Sequence, residues 1–276
     1  MSKVPSVSIK GGKKLPLIGL GTWELVGKSC TYMVEKALEI GYRHIDTAHL
    51  YQNHAAIKKA IKNIPRDQIF ITSKFALDQI DYKNCEESVE EVCDLALKQL
   101  GTDYIDLYLI HRPDRSKPMK DVLHAMNRLA EKGKISYAGV SNFNIHHLQD
   151  MMNAGVQISA NQVEFHPYLY QKALWDFCKS HQIQLIAYRP LGKGALLSEP
   201  LLQEIGAKHK KSAAQIALRW IVQKGIPVIP KASSEKHLKE NFAIFDFKLS
   251  EDEMNRLDQL NRNQRFCKPE WSDFDY

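Results

Sequence analysis

Short apolar runs alternate with segments of helical periodicity along most of the chain. The runs are rich in Val, Ile, Leu and Tyr and predict eight strands, at residues 17–21, 44–48, 69–74, 105–111, 136–141, 158–164, 184–188 and 226–230. Between the runs, apolar residues recur every three or four positions, which is the helical period. Eight such alternations in 276 residues predict an α/β fold, a closed (β/α)8 TIM barrel, formed by residues 1–276 as a single domain.

The ends of several predicted elements carry recognisable signals. Residues 84–100 form the clearest predicted helix, which has apolar residues on one face and Gly101 at its end. Capping boxes are predicted where Ser or Asn precedes Glu or Gln by three residues, at Asn84 with Glu87, Ser212 with Gln215 and Ser250 with Glu253. Before residue 17, Gly11 and Gly12 lie between two short alternating runs and predict an N-terminal β-hairpin.

Composition and charge narrow the class of protein. The chain is 44% hydrophobic and 25% charged, and no apolar stretch approaches the ~20 residues of a membrane span. The first ten residues lack the apolar centre of a secretory signal, and five cysteines without a C-x-x-C pair argue against a disulfide framework or a zinc site. We therefore expect a cytoplasmic protein that has no metal site.

The net charge of +6 comes without a long basic run. Nucleic-acid binding usually requires a denser basic stripe, so an anionic small molecule is the simpler reason for the excess. A merely solvated surface accounts equally well for most of these charges. We expect neither a nucleic-acid nor a membrane partner.

A dinucleotide-binding Rossmann fold is the rival interpretation. Gly19 and Gly21 follow an apolar strand like the start of the fingerprint G-x-G-x-x-G, but Glu24 occupies the third position and would bring a carboxylate toward a pyrophosphate. Glycines at this place are better explained as turn residues than as phosphate contacts. The barrel is therefore preferred.

Four polar residues lie at or just past the ends of three successive predicted strands, namely Asp46, Tyr51, Lys74 and His111. In a parallel barrel the carboxyl ends of all strands open onto one face, so these side chains would converge there. Each residue alone has a plain structural explanation, as a cap, a rim aromatic or a satisfied histidine. Four together favour a chemical role.

The four residue types can be combined into a proton relay. A free tyrosine has a pKa of about 10 and is a poor acid at neutral pH unless a nearby cation favours its ionised form. Lys74 could supply that cation, and Asp46 could balance the charge of a partly buried lysine. His111 could donate a hydrogen bond to a substrate carbonyl beside Tyr51, so the set indicates a carbonyl-reducing site.

Sequence blocks along nearly the whole chain resemble those of the aldo-keto reductase family. The blocks are GYRHIDTAHLY at 41–51, ITSK at 71–74, IDLYLIH at 105–111, GVSN at 139–142, NQVEFHPYL at 161–169, AYRPLG at 187–192, VIPK at 228–231 and EN at 240–241. The pattern is most similar to the bacterial 2,5-diketo-D-gluconate and methylglyoxal reductase group. The resemblance implies a barrel that binds extended NADPH, with Asp46, Tyr51, Lys74 and His111 as a catalytic tetrad in which Tyr51 is the general acid.

The resemblance also assigns cofactor contacts. By position, Ser141, Asn142 and Gln162 would hold the nicotinamide carboxamide, and Tyr188 would stack on the ring. Gly21, Thr22 and Asp46 would lie along the nicotinamide ribose, and Leu191 and Gly192 near the pyrophosphate. Lys231, Ser233, His237, Glu240 and Asn241 would surround the adenosine 2′-phosphate and adenine.

Two departures from the family pattern concern the 2′-phosphate. Ala232 replaces a serine, and His237 replaces the arginine that commonly clamps the phosphate. Lys231, Ser233 and Ser234 could compensate, because a lysine and hydroxyls still bind a phosphate dianion. NADPH is therefore expected to be favoured modestly, and NADH is possible.

Other departures concern the substrate. Arg112 replaces a tryptophan and Ala76 an aromatic residue, whereas Trp23 is kept, which predicts small, polar or anionic carbonyl substrates. An Arg112 side chain that points into solvent or pairs with an acid is equally compatible with the sequence.

The family's C-terminal segment folds across the barrel mouth, so Phe266, Trp271 and Phe274 are candidate substrate contacts. His54 and Arg189 also depart from the pattern; Arg189 either reaches the pyrophosphate or lies beside it.

Three classes of function remain open on the sequence. The first is an NADPH-dependent reductase of a small carbonyl substrate, acting as a monomer. The second is a barrel lyase in which Lys74 forms a Schiff base, and the third is a nicotinamide-binding sensor with little turnover.

Overall fold

The computed structural model of the protein describes residues 4–267, 274 and 276. In this part of the chain the strands are β1 Ser6–Ser8, β2 Lys14–Pro16, β3 Leu20–Gly21, β4 His44–Asp46, β5 Phe70–Phe75, β6 Ile105–Ile110, β7 Ile135–Ser141, β8 Ala160–Glu164 and β9 Gln184–Tyr188. The α-helices are α1 Gly27–Ile40, α2 His54–Ile61, α3 Cys85–Leu100, α4 Met119–Glu131, α5 Ile145–Asn153, α6 Lys172–Ser180, α7 Pro200–His209, α8 Ala213–Gln223, α9 Glu235–Phe242 and α10 Glu251–Asp258.

The main sheet is parallel and follows chain order from β3 to β9. Its central strands β5 and β6 are buried along their whole length. Alternate residues of β6 pack in two different apolar clusters, with Leu107 and Leu109 in one and Tyr108 and Ile110 in the other. This alternation separates the barrel interior from the layer of helices around it. The predicted barrel with helices outside is confirmed.

The predicted eighth strand is only partly confirmed, because residues 226–230 make isolated bridges rather than a ladder. Val228 bridges Ile18 on one side and Ala187 on the other, which closes the barrel between its first and last strands. Pro227 and Pro230 flank this point. Proline has no N–H to donate, so a continuous ladder cannot form here.

The predicted N-terminal hairpin is present as the antiparallel pair β1 and β2. Ile9 and Leu15 are buried and share an apolar cluster with Phe70, Leu107 and Tyr137 of the barrel strands. The hairpin therefore covers the amino-terminal end of the barrel. The predicted site residues Asp46, Tyr51, Lys74 and His111 lie at the opposite, carboxyl end.

Two of the three predicted capping boxes are formed. The hydroxyls of Ser212 and Ser250 accept hydrogen bonds from the backbone N–H groups of Gln215 and Glu253, whose side chains bond back. The prediction for Asn84 was wrong, since its side chain makes no capping hydrogen bond and its amide instead donates to Asp81.

Among the described residues, none of the helices is both long enough and apolar enough to pass through a lipid bilayer.

These caps allow a matched stability test. We expect Ser212→Ala to lower the free energy of unfolding by about 1 kcal/mol, because it removes an acceptor for the first turn of α8. Asn84→Ala should change it by less than about 0.5 kcal/mol, as for a surface site without a special role. Urea unfolding followed by circular dichroism measures both. An equal loss in the two variants would contradict the assignment of the caps.

Candidate active site

A buried ion pair forms the floor of the barrel at its carboxyl end. Lys74 of β5 and Asp46 of β4 are 1% and 2% exposed, and Lys74 Nζ lies 2.6 Å from Asp46 Oδ1. The ammonium also donates to the carbonyl oxygen of Thr47 at 2.9 Å. Inward side chains alternate along each strand, so neighbouring parallel strands present these two groups to each other.

The two charges support each other against burial. Burial, the largest single effect, would lower the pKa of Lys74, but the charges and hydrogen bonds of Asp46 and Tyr51 together outweigh it and the pKa is raised. Burial raises the pKa of Asp46, although Lys74 and a hydrogen bond from Gln162 oppose the shift. The ammonium is therefore held protonated by its neighbour.

Tyr51 reaches the same floor from the short 3₁₀ helix His49–Tyr51 that follows β4. Lys74 Nζ lies 3.4 Å from the Tyr51 hydroxyl oxygen. Burial raises the pKa of Tyr51, while the charge of Lys74 acts in the opposite direction. The cation predicted from the sequence is thus adjacent to the phenol, but burial outweighs it and the phenol stays protonated at neutral pH.

His111 follows β6 directly, and its ring centroid lies 5.8 Å from that of Tyr51. Its Nδ1 is buried and has no hydrogen-bond partner among the described residues. Burial, with the charges of Lys74 and Arg112, lowers the pKa of His111 to about 3. The imidazole is neutral at physiological pH and can act as a hydrogen-bond donor rather than as an acid.

The residues assigned to the nicotinamide carboxamide lie beside this floor and are joined to it. Gln162 Nε2 donates to Asp46 Oδ2 at 2.7 Å. The hydroxyl of Ser141 donates to the carbonyl of Gln162, and the Asn142 amide donates to the carbonyl of His111 at 2.9 Å. The Tyr188 hydroxyl donates to Asn142 Oδ1 at 2.7 Å. Asn142 has a φ of 66°, a left-handed conformation that asparagine adopts more readily than most residues.

Sequence reasoning missed one residue of this region, Asn53. It is 1% exposed, accepts a hydrogen bond from Thr47, and donates to the carbonyl and hydroxyl oxygens of Thr22 and to the carbonyl of Leu25. Thr22 in turn donates through its hydroxyl to the carbonyl of Asp46 at 2.8 Å. Asn53 thereby fixes the loop after β3 against the loop after β4. Its position just before α2 resembles a helix cap and gave no signal of this role.

The residues assigned to the 2′-phosphate lie near the place where β3 meets the segment around Val228 that closes the barrel. Gly21 bridges Lys231, and a Cβ at Gly21 would lie 2.5 Å from the carbonyl oxygen of Ile229, so only glycine fits there. Ser233 and His237 are exposed near the start of α9, whereas Asn241 is buried. A helix start favours anions, which suits a phosphate beside Lys231.

Glu164 is a second residue that sequence reasoning missed, although it belongs to the NQVEFHPYL block. Its buried carboxylate accepts hydrogen bonds from the backbone N–H groups of Phe266 and Cys267, both at 2.8 Å. Burial alone would raise the pKa of Glu164, but these bonds and one from His166 lower it. The start of the C-terminal segment is thus tied to the barrel mouth.

Phe266 and Arg189 place the pyrophosphate candidates Leu191 and Gly192 under this segment. A Cβ at Gly192 would lie 2.8 Å from the Phe266 ring. Arg189 Nη1 donates to the carbonyl of Phe266 at 3.4 Å. Glu240 is half-buried on α9.

The substrate side is partly described. The Trp23 ring contacts Tyr51 edge-on with centroids 4.9 Å apart, and Trp23 and Leu50 are 41% and 51% exposed at the rim. Arg112 is half-buried next to His111, and burial lowers its pKa. Arg265 stacks on the Phe274 ring at 3.8 Å, and Trp271 lies outside the described residues.

His54, which had no interpretation in the sequence, is structural. Its two ring nitrogens lie 3.0 Å from Gln99 Oε1 of α3 and from Ser73 Oγ of β5. Burial lowers its pKa to about 4, so the ring is neutral.

The described residues contain no group of three or more His, Cys, Asp and Glu side chains arranged to hold a metal ion.

The described residues fit a nicotinamide dinucleotide. Buried Nδ1 of His111 has no hydrogen-bond partner among the described residues, and the cations Lys231 and Arg189 lie four residues before α9 and directly after β9, among the residues assigned to the phosphates. A polar floor with amide groups beside it suits the nicotinamide end, and the cations suit the phosphates. The fold and this site are those of a barrel enzyme that acts on carbonyl groups.

Comparisons with known proteins agree. The model of the Aldo/keto reductase family matches residues 17–262. The chain is 42% identical over 264 residues to a glyoxal reductase of Bacillus subtilis (strain 168), with 94% of each chain covered. It is 36% identical over 271 residues to the methylglyoxal reductase DkgA of Salmonella typhimurium (strain LT2), with 96% of each covered.

A solved structure is also similar. MGS-M4, an aldo-keto reductase enzyme from a Medee basin deep-sea metagenome library, has a TM-score of 0.92 and 40% identity, over 98% of this chain and 100% of that one. This chain belongs to the aldo/keto reductase family, as its sequence blocks predicted. It is an NAD(P)H-dependent oxidoreductase that acts on carbonyl groups.

The buried pair can be tested by unbalancing it. We expect Asp46→Asn to lower the free energy of unfolding by about 3–5 kcal/mol, because Lys74 would be left buried without its counter-charge. The double variant Asp46→Asn with Lys74→Met should recover part of that loss. Urea unfolding followed by tryptophan fluorescence measures both, and a double variant as unstable as the sum of the single ones would argue against the pairing.

Proposed function

We propose that this protein is an NADPH-dependent reductase that converts small, polar or anionic aldehydes and ketones to alcohols, with Tyr51 as the general acid. We further propose that it acts as a monomeric, single-domain enzyme in the cytoplasm. One observation carries the assignment of chemistry. The phenol of Tyr51 lies 3.4 Å from a buried ammonium that is itself held by Asp46, beside the neutral ring of His111.

The charges on these groups leave Tyr51 as the proton donor. A carbonyl that accepts a hydride gains negative charge on its oxygen, and a proton must reach that oxygen. Neutral His111 can hold the carbonyl by a hydrogen bond, and Lys74 is bound to Asp46 and Thr47. When Tyr51 gives up its proton, the adjacent ammonium stabilises the phenolate, so the pair of charges assists the transfer.

A second set of residues, beside these groups, is proposed to hold the cofactor. Ser141, Asn142 and Gln162 are proposed to contact the nicotinamide carboxamide, and Tyr188 to stack on the ring that they position. When bound, the reduced nicotinamide supplies the hydride. Fixing this ring against the carbonyl is the barrel's main contribution, because such positioning can lower a barrier by about 7–11 kcal/mol.

The Schiff-base alternative receives less support. A lysine that attacks a carbonyl must be neutral and reachable, whereas Lys74 is 1% exposed and its pKa is raised by Asp46 and Tyr51 together. Borohydride treatment with substrate should therefore leave Lys74 unmodified. A sensor role keeps the same dinucleotide site and differs only in turnover.

The direct test is Tyr51→Phe. We expect this variant to oxidise NADPH with glyoxal, methylglyoxal and a keto acid roughly 10²- to 10⁴-fold more slowly than the wild type, since it lacks the proton donor. Its affinity for NADP⁺, measured by calorimetry, should stay within about twofold, because the phenol is proposed to serve the carbonyl rather than the dinucleotide. Wild-type protein that binds the dinucleotide tightly but reduces none of these carbonyls would favour the sensor role.

The preference for anionic substrates is proposed to depend on Arg112. Arg112→Ala should raise the KM for keto acids about tenfold relative to neutral aldehydes, the equivalent of one charge-assisted hydrogen bond of about 1.5 kcal/mol. Arg112→Lys keeps the charge and serves as the matched control. Steady-state kinetics on a keto acid and an aldehyde of similar size measure the ratio. Equal changes for both substrates would remove Arg112 from the substrate site.

A further inference from the structure

Glu24 makes an unexpected contact with the residue assigned to the 2′-phosphate. It lies three residues past β3, and its Oε2 is 2.5 Å from Lys231 Nζ, although the two residues are 207 positions apart. Glu24 has a φ of 63°, a left-handed conformation that is uncommon for glutamate. The loop after β3 thus directs the Glu24 carboxylate toward Lys231, where β3 meets the segment that closes the barrel.

Two further cations act on the same carboxylate. The pKa of Glu24 is lowered, first by the hydrogen bond and charge of Lys231 and then by the charges of Arg189 and Lys193. These two residues lie in the loop after β9, beside the pyrophosphate candidates Leu191 and Gly192. Glu24 is therefore an anion within the positive field that the dinucleotide phosphates are proposed to occupy.

We infer that Glu24 is an internal competitor for the 2′-phosphate of the dinucleotide and is the residue that limits the preference for NADPH over NADH. This inference rests on the proposed function, in which a dinucleotide binds with its adenosine end at Lys231. At 2.5 Å there is no space between the ammonium and the carboxylate for a phosphate oxygen. A phosphate that approaches Lys231 must either displace Glu24 or share the ammonium with it, and in both cases it stands near a like charge.

The penalty falls on one dinucleotide only. NADH has no 2′-phosphate, so it can bind while the Glu24–Lys231 pair stays intact. Glu24 and Lys231 are 62% and 37% exposed, and an exposed pair of this kind contributes little stability and opens readily. Glu24 therefore reduces the selectivity for the phosphate without preventing its binding.

The opposite role is that of a clasp, in which the pair closes over a dinucleotide that is already bound. The two roles predict opposite signs. Removal of a competitor tightens binding of the phosphorylated dinucleotide alone, whereas removal of a clasp weakens binding of both dinucleotides and speeds their release.

The test is calorimetric titration of wild-type and Glu24→Gln protein with NADP⁺ and with NAD⁺, which needs no turnover. We expect the Kd for NADP⁺ to fall roughly 3- to 10-fold, by loss of an exposed ion pair and of a like charge near the phosphate, while the Kd for NAD⁺ changes less than about twofold. The difference should shrink as salt is added, because exposed charges are screened. Glu24→Ala should act in the same direction.

Glu204→Gln is the matched control. Glu204 is an exposed glutamate on α7 that pairs with Lys208 and Arg256, so its substitution changes the net charge equally but should leave both Kd values unchanged. In a Lys231→Met background, Glu24→Gln should tighten NADP⁺ binding less than in the wild type, because the cation for which the two anions compete is absent and only the removal of a like charge remains.

The outcomes separate the two proposals. If the wild type binds neither dinucleotide, the proposed function and this inference are both overturned. If it binds them but Glu24→Gln leaves the ratio of the two Kd values unchanged, or weakens both equally, the inference alone is overturned.

Discussion

The buried ion pair between Lys74 and Asp46 is the constraint on which the site depends. Two full charges inside a barrel are costly to desolvate, and their mutual attraction rarely exceeds that cost, so such a pair is poorly explained as a source of stability. It is better explained by what it fixes. Asp46 binds Lys74 through one carboxylate oxygen and Gln162 through the other, which joins β4, β5 and β8 at one level.

Local signals made much of the fold predictable. Strands appear as short apolar runs and helices as a repeat of three and four, and both patterns survive because each element buries one side. The closing segment at 226–230 shows the limit of this reasoning. Its apolar composition predicted a strand, but Pro227 and Pro230 reduce it to single bridges. Similarly, Asn84 has the sequence of a cap and bonds to Asp81 instead.

The partners of the site residues were less predictable, because they depend on closure of the barrel. Asn53 and Glu164 are polar residues whose hydrogen bonds connect separate loops, and no local spacing marks them. In the sequence, Glu24 served only to argue against a Rossmann fingerprint, because a carboxylate there would lie toward a pyrophosphate. Its actual partner, Lys231, became apparent only when the first strand and the closing segment were brought together.

The protonation states at the floor are consistent with one another only as a set. If His111 were charged, it would repel Lys74 across the site, and burial together with that charge lowers its pKa to about 3. If Lys74 were neutral, Asp46 would be a buried carboxylate without a cation, which is why each of the pair opposes the effect of burial on the other. A protonated phenol beside a cation and a neutral ring is then the arrangement in which the charge left by a departing proton is stabilised by the adjacent ammonium. Removing any one partner would therefore change the proton affinity of the others as well as its own contact.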